Sequence, residues 1–210
     1  MSHVKKVYRI IGEVLSQALN VPILSGAFIT FLFLKLPTDL PRRMAGYGWA
    51  LLFLSLIPLG SLFFYIPGKL RDWPRIIRRQ RIASFVFMIV SYPIGFVILR
   101  LTEAPKIYEA LAVTYTLVTL GLMLFNFLLR YKASGHAAGV AGPVAALIYL
   151  YGLIATPLLV LLPLTAIARV SAKGHSLLQT AAGAMLSLGV TVLVLWAYGF
   201  LPLAGWQTLF

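Results

Sequence analysis

Residues 137–170 read AAGVAGPVAALIYLYGLIATPLLVLLPLTAIARV, with no charged residue before Arg169. Taken as a single helix, 137–169 would be about 50 Å long at 1.5 Å per residue. The hydrocarbon core of a bilayer is only roughly 30 Å thick. Tyr151-Gly152 and Pro157 supply a break inside the run. The segment is therefore predicted to form two short helices, over 137–152 and 154–170, joined by a tight turn.

That reading sets the parity of the whole chain. Further apolar runs at 17–36, 45–67, 82–102, 107–130 and 176–199 complete a set of seven predicted spans. With seven, the loops after the second, fourth and sixth spans all open on one side of the membrane. With six, the last of them would face the other side. Those three loops hold the polar islands of the sequence. The first is Lys69-Leu-Arg71-Asp72-Trp73-Pro-Arg75-Ile-Ile-Arg78-Arg79-Gln-Arg81. The second is Arg130-Tyr-Lys132-Ala-Ser134-Gly135-His136. The third is Arg169-Val-Ser-Ala-Lys173-Gly174-His175, with Gln179 one helical turn later.

Composition agrees with a membrane protein. The chain has 210 residues, 60% of them hydrophobic and only 11% charged, against about 25% charged in soluble domains. The expected fold is an all-α, polytopic bundle of six to seven transmembrane helices forming one domain over residues 1–210. Its motif-bearing core runs from about 69 to 183. The first apolar run continues beyond the length of a signal core and reads as a retained anchor. Small residues after the second island (Gly135, Ala138, Gly139, Gly142, Ala146) and in the last span (Gly183, Ser187) are expected to let helices approach closely.

Cysteine is absent, which excludes disulfides and a thiol nucleophile. With three histidines and five carboxylates, a structural zinc or dimetal site is hard to build. No metal and no cofactor are expected. The net charge of +13 suits anionic headgroups. The expected partners are the bilayer and a lipid-borne anion, with no nucleic acid, and the oligomeric state is left open.

The islands hold the parts of a phosphate site. Arginine presents a planar fork that matches phosphate oxygens, and lysine adds a compact charge. Arg78 and Arg81 are three residues apart, so on a helix they share a face. Ser134 precedes a helical run that it can cap, leaving the Gly135 amide to point at an anion. Arg169 and Lys132 would join them on one phosphoryl group. A neutral imidazole can attack phosphorus, and a protonated one can supply the leaving group's proton. His175 and Gln179, four apart, share a helical face. Gln179 is expected to accept a hydrogen bond from one ring nitrogen of His175 and leave the other free. His3 is given no role.

The spacing resembles the type 2 phosphatidic acid phosphatase superfamily, which also includes the vanadium haloperoxidases. Its usual pattern is a basic first motif ending Arg-Pro, then Pro-Ser-Gly-His, then Ser-Arg-x5-His-x3-Asp. Here Ser134-Gly135-His136 matches the second motif, with Ala133 in place of proline. Arg169-x5-His175 matches the third, with Ala168 for serine and Gln179 for the aspartate. Arg81 is followed by Ile82 and not by proline. Asp72-Trp73 and Arg78-x2-Arg81 instead look like the short, highly apolar prokaryotic branch, in which a glutamine is expected at the position of Gln179. The resemblance covers about 72–183. It implies a metal-independent phosphohistidine mechanism with His175 as nucleophile, His136 as general acid, and Arg78, Arg81, Lys132, Ser134, Gly135 and Arg169 holding the phosphate.

The function expected from this reading is hydrolysis of a lipid phosphate or isoprenoid diphosphate by a multi-pass protein of the plasma membrane. The alternative is a non-catalytic protein that binds or flips a lipid phosphate. The predicted topology puts thirteen basic residues on the island side and five, Lys35, Arg42, Arg43, Arg100 and Lys106, on the other. The positive-inside rule then places the islands in the cytoplasm, although with the islands discounted the balance reverses.

Overall fold

The computed structural model describes residues 20–36, 39–65, 73–172 and 174–200, with backbone alone at 64–65 and 73–78. Within them the chain is helical and contains no strand. Helix α1 covers Val21–Lys35 and α2 covers Leu40–Leu51. The latter continues through a π turn, Leu52–Leu56, to a 3-10 segment, Gly60–Tyr65. Helix α3 covers Trp73–Leu101, and α4 covers Lys106–Met123 with a π turn, Leu124–Leu128, at its end. Helices α5 (Gly135–Tyr151), α6 (Leu161–Ser171) and α7 (Leu177–Ala197) complete the bundle.

Five apolar helical stretches have the length and hydropathy to cross a bilayer, and α1 is a shorter apolar helix beside them. The protein is a multi-pass helical membrane protein. Its longest stretch, Gly135–Ser171, has 37 residues and is not one crossing. Gly152 sits at φ +66°, a left-handed conformation that glycine adopts without a Cβ penalty. Its amide donates to Ile148 O and closes α5. A 3-10 segment, Gly152–Val160, then leads into α6. Val140 and Val144 pack with Leu158, Leu161 and Leu162. In a continuous helix Val144 and Leu161 would be about 25 Å apart, so the chain must reverse. The hairpin expected from the break at Tyr151-Gly152 is present, and the segments at Lys132 and at Gly174–His175 lie at the same end of the bundle, whereas most of the first island lies outside the described residues.

Small residues make the close contacts on which this packing depends. Gly139 of α5 lies against the Val21 side chain. Gly142 faces the hydroxyls of Ser187 and Thr191 on α7, and Ala146 is fully buried. The main core lies toward the face opposite the loops, around Ile29, Leu32, Tyr92, Leu99, Ile107, Tyr108 and Leu111. A second cluster of Phe85, Val118, Leu122, Ala133 and Ala138 forms the floor beneath the loops. It joins α3, α4, α5 and the 129–134 segment.

The opposite face carries the ion pairs. Arg42 Nη2 meets Glu103 Oε2 at 2.6 Å, and Arg100 Nη1 meets the buried Glu109 at 3.1 Å. Asp39 caps α2 by accepting the Arg42 amide.

Candidate active site

The N-terminal part of α3 at Arg81, the segment before α5 and the α6–α7 loop meet at one end of the bundle. Lys132 Nζ donates to Gly174 O at 2.7 Å. His175 Nδ1 lies 3.1 Å from Lys132 O. Helix α6 delivers Arg169, whose carbonyl accepts the amides of Gly174 and His175 at 3.0 and 3.3 Å. The Arg169 guanidinium crosses over Gly174. A Cβ there would stand 2.7 Å from Arg169 Nη2, so a side chain at 174 would oblige the guanidinium to shift.

Arg81, Lys132 and Arg169 all lie within electrostatic range of His175, and Arg169 and His175 lie within range of His136. The cluster therefore brings together residues from α3, the α4–α5 loop, α5, α6 and the α6–α7 loop. The described carboxylates, Asp39, Glu103 and Glu109, all sit at the other end of the bundle. Like charges held together at a half-buried position repel strongly in reduced dielectric. A bound anion relieves that repulsion, and a focused positive potential recruits one.

Burial and neighbouring cations depress the loop residues. The His175 imidazole is pushed down to about 4, by burial first and by Arg169 next, against the opposing pull of its hydrogen bond to Lys132 O. The Lys132 ammonium is lowered by burial and by Arg81 and Arg169. His175 is consequently neutral near pH 7. The carbonyl of Lys132 can only accept, so Nδ1 bears the proton and Nε2 keeps its lone pair.

His136 lies in the first turn of α5. Its Nε2 is buried and has no partner among the described residues. Ser134 is the N-cap of that helix. It is fully buried and its Oγ accepts the Ala137 amide at 3.3 Å, as expected from its position before the helical run. Gly135 opens the helix.

Two sequence-based expectations need correction or restriction. Gln179 does not orient His175 through its amide oxygen. That oxygen accepts the Ser176 amide at 3.0 Å, while the Gln179 amide donates to Ser176 Oγ at 3.3 Å. This is a capping box at the start of α7. The motif Ser-x-x-Gln is its sequence signature and competes with the ring for the same carboxamide. Arg78 falls in α3 three residues before Arg81, but its side chain lies outside the described residues, as do Lys69, Arg71, Asp72 and Lys173.

Sequence reasoning also missed two groups that shape the site, Asn126 and a main-chain carbonyl, and left the partner of Gly183 unassigned. Asn126 Nδ2 donates to Leu122 O at 2.8 Å and to Ala133 O at 3.2 Å. Gly183 of α7 lies directly against the Ser134 main chain, and the Ser134 amide donates to Gln179 O at 3.0 Å. The carbonyl is that of Lys132. Asn126 was visible as a carboxamide in an otherwise apolar run, whereas main-chain groups leave no mark in a sequence.

Among the described residues, no three His, Cys, Asp or Glu side chains gather as metal ligands. Comparison with protein family models, curated proteins and solved structures returns no match.

Proposed function

We propose that the chain is an integral membrane phosphatase that hydrolyses a lipid phosphate or isoprenoid diphosphate through a phosphohistidine on His175. The observation that carries this reading is the meeting of two imidazoles, one from the start of α5 and one from the α6–α7 loop, within one cluster of Arg81, Lys132 and Arg169. The motif spacing of the type 2 phosphatidic acid phosphatase superfamily supports the same assignment. The plasma membrane is the compartment that this activity suggests.

In the proposed reaction Nε2 of His175 attacks phosphorus, and the bond to the leaving oxygen breaks. That oxygen takes a proton from His136, which must enter the step as imidazolium. Water then attacks the phosphohistidine, the P–N bond breaks, inorganic phosphate leaves and a proton returns to His136. Arg81 and Arg169 would hold the equatorial oxygens, whose charge is stabilised by donors fixed in advance. Exposed apolar residues border the cluster, among them Ile82, Leu177 and Leu178. They suit a substrate whose tail stays in the bilayer while its head reaches the cations.

The test is phosphate release by the purified protein from a panel of diacylglycerol and polyprenyl phosphates and diphosphates. Release that persists in chelator and is inhibited by vanadate is expected. Saturable binding of the same lipids without release would favour the binding or flipping role instead.

A further inference from the structure

In the resembled motif an aspartate follows the third-motif histidine by four residues. Gln179 occupies that position here, and its carboxamide is committed to the Ser176 cap. A nucleophilic imidazole still needs a partner on the ring nitrogen that does not attack, to fix both its tautomer and its direction. The described structure offers one such partner, the main-chain oxygen of Lys132 at 3.1 Å from Nδ1.

A carbonyl can serve in this way only if it is held still. Residues 132–134 form a strap in which successive groups are tied to different parts of the bundle. Lys132 Nζ donates to Gly174 O, so the two loops clasp each other reciprocally: side chain to main chain in one direction, ring to main chain in the other. Ala133 O accepts from Asn126 Nδ2, and the Ala133 side chain is buried in the floor cluster. Ser134 N donates to Gln179 O on α7, and the Ser134 main chain rests on Gly183. Asn126 lies in the π turn that ends α4. Such a turn shifts the register of side chains on a helix and is often found at functional sites. Arg130 next to it adopts φ +52°, a left-handed conformation that costs a non-glycine residue energy and that turns the chain sharply into the strap.

We infer that the Lys132 carbonyl, held by this strap, is the group that orients His175, and that Asn126 is a positioning residue acting through it. The carbonyl fixes the proton on Nδ1 and presents the bare Nε2 to the anion site. Lys132 thus takes part in building the site as well as adding to its charge. The catalytic consequence rests on the phosphatase reading; the tautomer does not.

The experiment therefore has two readouts. The first is 15N NMR of histidine-labelled full-length protein in detergent micelles near pH 7, with His175→Ala identifying the signal among three histidines. Wild type is expected to show His175 protonated at Nδ1 and bare at Nε2. Asn126→Leu, which keeps an apolar-compatible volume but removes both donors, is expected to show a mixture of tautomers. Lys132→Met is expected to do the same. Wild type protonated at Nε2, or an Asn126→Leu protein with an unmixed wild-type tautomer, overturns the inference whether or not the protein is an enzyme. The second readout is turnover per folded molecule. Loss of a positioning contact is expected to lower kcat of Asn126→Leu by about 10- to 100-fold with KM little changed. A merely structural role for Asn126 would lower thermal stability and leave both the tautomer and kcat of the folded fraction unchanged, which also overturns it. Should Asn126→Leu fail to fold, the Lys132→Met spectrum decides the matter by the same criterion.

Discussion

Lys132 Nζ and the main-chain oxygen of Gly174, separated by 42 positions in sequence, form a 2.7 Å hydrogen bond. The whole α5–α6 hairpin lies between them. The bond ties the two ends of that hairpin to each other, so both loops must be on the same side of the membrane. The chain contains no native cysteine, which makes this directly measurable. In a Lys132→Cys, Ser176→Cys double variant, a short bismaleimide should form an intramolecular cross-link. Two cysteines that label singly and never cross-link would rule out the hairpin.

His175→Ala should abolish phosphate release while leaving the fold intact. The side chain is half-buried at the rim of the bundle, and its removal leaves the floor cluster untouched. Loss of a covalent nucleophile should reduce turnover by several orders of magnitude, on the order of 10⁴-fold or more. A well-folded variant with wild-type turnover would end the assignment of this residue.

Gln179→Ala tests the revised role of that side chain. Its carboxamide closes the capping box, so the substitution should cost about 1 kcal/mol of stability. Turnover per folded molecule should be unchanged. A loss of turnover without a loss of stability would restore the orienting role read from the His175–Gln179 spacing.

The all-α membrane bundle and the polar segments at Lys132 and His175 were legible in the sequence because hydrophobic length and charge are written directly in composition; of the seven expected spans, five apolar stretches have spanning length and α1 is shorter. The break at Gly152 was legible too, since glycine and proline punctuate a helix. What escaped were groups whose role depends on relative placement. The Lys132 carbonyl and the Ser134 amide are generic main-chain groups until the fold aims them. Gln179 misled for a related reason. Its spacing fits both a partner for His175 and the fourth residue of a capping box, and local geometry favours the nearer main-chain amide.

The pH dependence follows from His175. Its imidazole is held down to about 4 in the fold, against an ordinary value of 6.5. The nucleophile is therefore neutral through the neutral range, and its acid limb in kcat/KM should fall near pH 4. Between 6.5 and about 4 the unfolded chain binds more protons at this residue than the folded one. Its stabilising contribution is thus complete above pH 6.5 and is lost as pH falls to about 4. A pH–rate profile of wild type and thermal melts of wild type and His175→Gln provide the check. A wild-type acid limb at pH 6.5, or the same pH dependence of melting with and without the histidine, would contradict the burial argument.

Gly183→Ala probes the seat of the strap. A methyl group there meets the Ser134 main chain, and backbone yields less readily than a side-chain end. Overpacking should cost about 1–3 kcal/mol, read as a lower midpoint in thermal melts. Gly189→Ala on the same helix faces open space and should be neutral or slightly stabilising. Equal effects at the two positions would mean that Gly183 is not a contact point.

The α5–α6 hairpin also bears on how the protein enters a membrane. From Ala133 to Ala168 the chain carries no lysine, arginine, aspartate or glutamate, while Lys132 and Arg169 stand at its two feet. The tip, with Leu153 and Ile154 almost fully exposed, can therefore cross without moving any formally charged side chain through the hydrocarbon. The pair of helices can insert as one unit from the side where its feet remain. That one-sided insertion would deliver His136 and His175 to the same leaflet in a single event, so the halves of the candidate site would not have to find each other across the bilayer.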